Sequence, residues 1–161
     1  MSYKCATCGK EHDDLPNVGM DRPTQWWILT DQERQNSTLS EDVCYINTQD
    51  EKSHFIRGVL EIPILETDEC FGFGVWVSQK KENFAIYLDN FDSAQIGPFF
   101  GWLSSKISYY EDTMYLKTMA HFRGNGLRPT IVLEPAEHRL AIAQRDGITL
   151  DEAWRIVHFY D

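Results

Sequence analysis

The sequence predicts an α+β fold, in which a mostly antiparallel sheet carries peripheral helices. Short stretches rich in β-branched and aromatic residues alternate with turn-prone clusters, which is the pattern of sheet strands. Clear helical periodicity appears near the C-terminus, so helices are expected at the edge of the sheet rather than between all of its strands. With 161 residues and 42% hydrophobic content, the chain can bury one sizeable core. A single domain over residues 1–161 is expected, with residues 1–20 as a metal-binding segment packed on it.

The predicted elements follow one another along the chain with polar connections between them. Proline suits a first helical turn, so Pro23 and the following tryptophans predict a short helix over 23–35. A helix is also predicted over 81–90. The predicted strands cover residues 43–47, 54–64, 71–78, 98–104, 113–123 and 128–134.

The last helix carries the clearest local signals. Thr149 and Glu152 have the spacing of a capping box, in which each side chain bonds a free backbone amide at the start of a helix. An apolar stripe at helical spacing follows, and it consists of Leu150, Ala153, Trp154 and Val157. This segment is therefore predicted to pack one face against the sheet.

The dipeptide Asn125-Gly126 predicts a hairpin, because both residues accept the positive φ of a type I′ turn. With these two residues at the tip, Arg123 lies opposite Arg128. The same register places His121 opposite Thr130, Ala120 opposite Ile131, Thr118 opposite Leu133 and Lys117 opposite Glu134. Alternation then sorts both strands into one apolar side and one polar side, which supports this register.

Alternation also sorts the strand predicted over 54–64, with Ile56, Leu60, Ile62 and Ile64 on one face and Arg57 on the other. If the polar sides of this strand and the hairpin coincide, five residues form a candidate ligand-binding set. They are Arg57, Lys117, His121, Arg123 and Arg128. Their positive excess is notable in a chain of net charge −10, and arginine forks suit a carboxylate or a phosphate. Two interpretations stay open: a solvated outer face with cross-strand salt bridges, or a site for an anionic group of a ligand or partner.

The N-terminal cysteines indicate a structural zinc site. Cys5 and Cys8 stand at the spacing of two ligands on one tight turn, with His12 as the third ligand and Cys44 as the fourth. Cys70 precedes an apolar strand, and a packed thiol is the expected role there. A thioredoxin-type redox pair needs a strand before the cysteines, for which four residues leave no room. Ordinary reduced cysteines are the alternative to zinc.

Composition also limits the partners. A net charge of −10 disfavours duplex DNA and anionic membranes, since phosphate binding needs a basic surface. No apolar run approaches the roughly 20 residues of a membrane span. The chain starts without a charged-then-apolar leader, so export is not indicated and a cytoplasmic location with reduced thiols is expected. The expected partner is a protein or a small anionic ligand.

Catalytic signals are weak. His121, Glu134 and His138 are candidates for base, orienting group and acid, although a hydrogen-bonded structural role is common for histidine. The sequence contains no nucleophile elbow, P-loop, paired-histidine zinc motif or dinucleotide fingerprint.

Short motifs along nearly the whole chain resemble the bacterial family known as domain of unknown function 2199. The N-terminal ones are Cys5-x-x-Cys8-Gly9-x-x-His12, Leu15-Pro16, Asp42-x-Cys44-x-Ile46, Arg57-Gly58-Val59-Leu60-Glu61-Ile62-Pro63 and Gly74-Val75-Trp76-Val77-Ser78. The C-terminal ones are Phe100-Gly101-Trp102-Leu103, Leu116-Lys117-Thr118, His121, Leu127-Arg128-Pro129, Leu133-Glu134-Pro135, His138, Leu140-Ala141 and Gln144-Arg145-x-Gly147-Ile148. The resemblance implies a cytoplasmic bacterial protein and brings no activity, substrate or catalytic residue.

These observations predict a small zinc-stabilised binding or regulatory module. The alternative is an enzyme that uses His121, Glu134 and His138 near an arginine-lined face.

Overall fold

The computed structural model describes residues 3–4, 11–12 and 14–161, and it has the mixed α+β architecture that the sequence predicts. The strands are β1 (Tyr3–Lys4), β2 (Glu11–His12), β3 (Val18–Gly19), β4 (Thr38–Leu39), β5 (Val43–Asn47), β6 (Lys52–Pro63), β7 (Cys70–Gln79), β8 (Phe99–Trp102), β9 (Lys117–His121) and β10 (Thr130–Leu133). The helices are a 3-10 helix (Thr24–Ile28), α1 (Asp31–Gln35), α2 (Lys81–Asp89), α3 (Arg139–Asp146) and α4 (Leu150–Phe159).

The main sheet has the strand order β3-β7-β6-β10-β9-β8, and β4 and β5 extend it beside β6. Most neighbours are antiparallel, but β3 runs parallel to β7 and β10 runs parallel to β6. The chain after β8 returns to β7 through a bridge between Leu103 and Val77. The strands β1 and β2 pair separately, with Tyr3 opposite His12.

Two different strands pair with the same edge of β6, one with each half of its length. Strand β5 pairs with its first half, where Val43 lies opposite Ile56. Strand β10 pairs with its second half, where Thr130 lies opposite Val59. At the junction, the Arg57 amide donates to the Asp42 carbonyl and the Val59 amide donates to the Pro129 carbonyl, both at 2.9 Å.

The hairpin register predicted from Asn125-Gly126 is confirmed. His121 pairs with Thr130, Ala120 with Ile131 and Thr118 with Leu133. Asn125 and Gly126 both have positive φ, at 55° and 72°, and the Leu127 amide donates to the Gly124 carbonyl at 3.0 Å. These are the features of a type I′ turn. The paired strands are shorter than predicted, since regular pairing covers 117–121 and 130–133.

The main core lies between one face of the sheet and the helices α2, α3 and α4. Alternate residues of β6 face it, and Ile56, Leu60 and Ile62 are fully buried there. Helix α4 buries Trp154 and Val157 as its apolar stripe predicts. Thr149 caps that helix by accepting the Glu152 amide at 3.1 Å.

A second, smaller cluster covers part of the opposite face of the sheet. It contains Trp26, Cys44, Ile46, Phe55 and Trp76, and Met20, Leu29 and Leu39 pack against it. The chain segment 20–39 forms this cover. The sheet is therefore buried on both faces where β5, β6 and β7 meet.

Two helical predictions differ from the structure. The helix predicted over 23–35 is divided, because Leu29 is extended with ψ of 147° and Thr30 starts a new helix with a reciprocal capping box to Glu33. Helix α3 was not predicted, because Pro135 precedes it closely and its eight residues span only about two turns.

Candidate functional site

The junction between β5, β6 and β10 brings arginines from two strands together. Thr130 pairs with Val59 in parallel, so the residues two positions earlier, Arg128 and Arg57, are also neighbours on one face. Across the hairpin, Arg123 follows Arg128 in the same row because His121 pairs with Thr130. Three arginines therefore lie side by side at one end of the sheet.

An open recess of about 640 Å³ lies at this row. We call it the arginine recess, and it is lined by Asp21, Arg22, Leu39, Ser40, Glu41, Arg57 and Arg128. The lining comes from the segment 20–39, from the turn before β5, from the middle of β6 and from the residues just before β10. Folding therefore brings together residues that are more than 100 positions apart in the chain.

Arg57 lies at the boundary between the second cluster and the recess, with a side chain only 13% exposed. Its guanidinium carbon is 5.8 Å from the centre of the Trp76 ring. One terminal nitrogen donates to the Glu41 carbonyl at 3.3 Å, and the other lies 3.7 Å from an Asp21 carboxylate oxygen. Its Nε is buried and has no hydrogen-bond partner among the described residues.

The electrostatic position of Arg57 follows from this placement. Burial lowers its pKa from the usual value, and the neighbouring charge of Arg128 acts in the same direction. The carboxylates of Asp21, Asp42 and Glu41 act in the opposite direction. A guanidinium remains charged at neutral pH, so Arg57 is a partly desolvated cation at the edge of the recess.

Arg128 is held in place by Asp42. Its Nε donates to a carboxylate oxygen of Asp42 at 2.9 Å, and both side chains are about one-third exposed. No hydrogen bond is recorded from its terminal nitrogens to any described residue. The backbone of Arg128 is held in turn by Arg123, whose Nε donates to the Arg128 carbonyl at 2.7 Å.

Tyr87 of α2 approaches the same pair from the main core. Burial, and to a smaller extent the Asp42 carboxylate, raise the pKa of Tyr87 to about 12, while Arg128 opposes them. Its hydroxyl is buried without a hydrogen-bond partner among the described residues. Unpaired buried polar groups are uncommon in folded proteins, and both the Arg57 Nε and the Tyr87 hydroxyl lie near the Asp42–Arg128 pair.

The predicted ligand-binding set is only partly brought together. Arg57 and Arg128 line the recess, and Arg123 adjoins them through the Arg128 backbone. His121 is exposed one row further along the sheet. Lys117 lies six residues from Arg123 on the same strand, or about 20 Å at the rise of an extended chain.

The three catalytic candidates lie on different parts of the molecule. His121 is opposite Thr130, whereas the Glu134 amide donates to the Lys117 carbonyl at the far end of the hairpin. His138 caps α3: its Nδ1 accepts the Leu140 amide at 3.0 Å, and its Nε2 contacts the Glu111 carbonyl oxygen. Both nitrogens of this ring are therefore used in holding local structure.

Cys5 and Cys8 lie outside the described residues, and for His12 the structure gives the backbone pairing of β2. Cys44 is fully buried in the apolar second cluster, and burial raises the pKa of its thiol from 9.0 to about 12. Cys70 is exposed rather than buried, although its pairing at the start of β7 agrees with the strand prediction. Within residues 14–161 no group of three His, Cys, Asp or Glu residues forms a metal site.

Sequence reasoning missed Asp21, Arg22 and Glu41, which line the recess. It also missed Asp42, which bonds Arg128. These residues precede or follow regular elements, where alternation assigns no face. One signal was present: Asp42 stands immediately before a predicted strand, as Arg128 stands at the start of another. Residues at strand ends meet when the strands share an edge.

The family model described as "Uncharacterized protein conserved in bacteria (DUF2199)" matches residues 4–148. The chain belongs to this family. No curated protein and no solved structure matches it. The match of DUF2199 includes both Arg57 and Arg128, and it also includes the N-terminal cysteines. The family description assigns no reaction to these positions, so their chemistry has to be argued from the geometry.

In the part of this DUF2199 chain that the structure describes, no helix has the length and apolar character needed to cross a membrane.

Proposed function

We propose that this protein is a small binding or regulatory module whose arginine recess binds a carboxylate group of a ligand or partner. The observation that carries the proposal is the pairing of Arg57 and Arg128 at the recess, where the terminal nitrogens of Arg128 have no hydrogen-bond partner among the described residues. A planar guanidinium binds a carboxylate through two parallel hydrogen bonds. Two such groups on neighbouring parts of the sheet therefore form a fixed set of donors for one planar anion.

The acidic residues of the recess favour a carboxylate over a phosphate. Asp21 and Glu41 line the recess beside the arginines, and the whole chain carries a net charge of −10. A group with a single negative charge experiences less repulsion from these carboxylates than a dianionic phosphate does. The acids also suit a ligand that carries an ammonium group next to its carboxylate.

The recess is also built to hold its arginines still. Arg57 lies beside the buried Trp76 ring, and Arg128 is bonded to Asp42. Because these side chains are already ordered, binding costs little additional side-chain entropy. This pre-organisation distinguishes the pair from Lys117, which is exposed at the other end of the hairpin.

A structural zinc ion remains part of the proposal. Its ligands would be Cys5, Cys8 and His12, and the cytoplasmic location implied by the family would keep these thiols reduced. The burial of Cys44 among apolar side chains favours a packed neutral thiol, so the test of the fourth ligand is a separate one. No geometry of the described residues favours the enzyme alternative, since His121, Glu134 and His138 are separated.

The experiment is a titration of the ¹⁵N-labelled protein with glutarate, followed through the arginine Nε signals. We expect the signals of Arg57 and Arg128 to shift, and we expect glutarate to bind more tightly than inorganic phosphate at the same pH. Arg57→Lys keeps the charge but removes the fork, and should weaken binding about tenfold, the scale of one charge-assisted hydrogen bond. Arg128→Lys should act similarly.

Arg155→Lys is the matched control, because Arg155 is exposed on α4 and does not line the recess. It should leave the affinity for glutarate unchanged. The proposal fails if glutarate shifts other signals but not those of Arg57 and Arg128. It also fails if Arg155→Lys weakens glutarate binding as much as Arg57→Lys does. Tighter binding of phosphate than of glutarate would overturn the preference for carboxylate.

A further inference from the structure

A second recess lies on the opposite face of the same strands. It has a volume of about 350 Å³ and is lined by Thr38, Val43, Tyr45, His54, Lys81, Phe84, Ala85 and Leu88. We call it the aromatic recess. Successive side chains of a strand point to opposite faces of the sheet. In β4, Leu39 therefore lines the arginine recess and Thr38 lines the aromatic recess.

Three rings form one wall of the aromatic recess. The rings of Tyr45 and His54 are stacked, with centroids 4.8 Å apart and planes at 22°. The His54 ring also contacts Phe84 of α2, with centroids 4.9 Å apart. Phe84 is buried, whereas Tyr45 and His54 are half-buried. A wall of stacked rings that is open to solvent on one side suits another flat ring.

The polar groups of this recess are few, and the cationic one is at its rim. Lys81 is exposed at the first turn of α2. His54 has no recorded hydrogen bond to a described residue, and burial together with Lys81 lowers its pKa, while Glu82 opposes them. His54 is therefore neutral at physiological pH, and Lys81 is the positive charge of the lining.

The size of the recess limits its ligand to one or two rings. Small-molecule sites range from about 300 to 1,000 Å³ and combine apolar walls with a few placed polar groups, and this recess is at the lower end. We propose that the aromatic recess binds a small flat aromatic compound bearing one anionic group, with the rings of Tyr45, His54 and Phe84 contacting its ring system and Lys81 pairing with its charge. This site is independent of the carboxylate site proposed above.

The probe is 2-naphthoate, and its uncharged amide is the matched ligand. Titration of the full chain, followed by ¹H–¹³C NMR of the aromatic rings, should shift the signals of His54, Tyr45 and Phe84. Ala85→Trp places a large ring at an exposed position of α2 that lines the recess, and we expect it to weaken 2-naphthoate binding at least tenfold. Ile86→Trp is the control, since Ile86 is exposed on the same helix and does not line the recess.

Lys81→Met tests the charge. It should weaken 2-naphthoate severalfold and leave the affinity for the amide unchanged. The inference is overturned if 2-naphthoate does not bind at low-millimolar concentration, if Ala85→Trp and Ile86→Trp behave alike, or if the acid and the amide bind equally.

Arg57→Lys separates this site from the arginine recess. It should leave 2-naphthoate binding intact while weakening glutarate. Loss of 2-naphthoate binding in Arg57→Lys, with no loss in Ala85→Trp, would place the probe in the arginine recess and refute the second site. The anionic ligand would also be refuted by two results together: an aromatic peptide competes with 2-naphthoate for the same residues, and Lys81→Met leaves the affinity for 2-naphthoate unchanged.

Discussion

The two faces of β6 differ in how far they are buried along the strand. One face is uniform: Ile56, Leu60 and Ile62 are fully buried in the main core. The other face changes along its length, from Phe55, which is buried, through Arg57, which is mostly covered, to Glu61, which is exposed. From Ile56 to Ile62 the first face is buried in the main core, whereas the described residues that cover the second face belong to the segment 20–39.

Arg57 lies at the edge of the segment 20–39, where the buried part of the second face of β6 ends. The donors of an exposed guanidinium are hydrogen-bonded to water, whereas a guanidinium buried in the core needs partners within the protein. At the edge, Arg57 is ordered by Trp76 and Glu41 while its Nε lacks a partner among the described residues. The proposed binding site therefore lies where the burial of this strand face ends.

The largest expected effect is on the uniform face. Leu60→Ala removes a fully buried side chain from the main core and should lower the free energy of unfolding by about 2–5 kcal/mol, since a cavity adds to the lost transfer energy. Denaturant unfolding measures it. A loss below about 1 kcal/mol would mean that this face is less tightly packed than the comparison requires.

The second-largest effect is expected at Gly58, where β6 meets the start of β10. A Cβ at Gly58 would lie 2.6 Å from Ile131 side-chain carbons and 2.8 Å from the Pro129 carbonyl oxygen. Gly58→Ala should therefore displace the start of β10, cost about 1–3 kcal/mol and weaken glutarate binding, because Arg128 precedes Pro129. Unfolding and the glutarate titration measure the two effects together.

Glu61→Ala is the control for Gly58→Ala, because Glu61 is exposed on the same strand and should change stability by no more than about 0.5 kcal/mol. Unchanged glutarate affinity in a destabilised Gly58→Ala protein would show that the junction does not position Arg128.

The smallest effect concerns the thiol beneath the partly covered face. Burial raises the pKa of Cys44 from 9.0 to about 12, so above pH 9 the unfolded chain releases a proton that the folded chain retains. The contribution of Cys44 to the free energy of unfolding should therefore be constant below pH 9 and fall as the pH rises towards 12. Cys44→Ala should cost about 1 kcal/mol at neutral pH and reduce the alkaline decline.

The same variant tests the fourth zinc ligand. Metal analysis of protein purified without chelator should show that Cys8→Ala loses bound zinc and that Cys44→Ala retains it, because the apolar surroundings of Cys44 favour a neutral thiol. Equal loss of zinc in both variants would instead make Cys44 a ligand.

Local patterns predicted a large part of this fold. The Asn125-Gly126 turn gave the correct register of β9 and β10, and alternation identified Ile56, Leu60 and Ile62 as one face. The capping position of Thr149 was also identified. These predictions succeed because turn geometry and side-chain alternation depend on residues close together in the chain.

The site was predicted in part. Arg57 and Arg128 were assigned to one polar face, and the structure makes them neighbours, but the acids of the recess and its separation from Lys117 were not predicted. Asp21 and Glu41 lie in connecting segments whose direction depends on what they pack against. The aromatic recess was missed because Tyr45, His54 and Phe84 belong to three different elements.

By itself, the sequence determined the α+β class, most of the strands, the hairpin register and the two faces of β6. Only the tertiary structure decided that β5 and β10 share one edge of β6, and that the segment 20–39 covers part of the face opposite the main core. Both outcomes depend on contacts between residues distant in the chain, for which local spacing carries no signal. Those contacts give Arg57 its neighbour Arg128 and leave its Nε without a partner among the described residues.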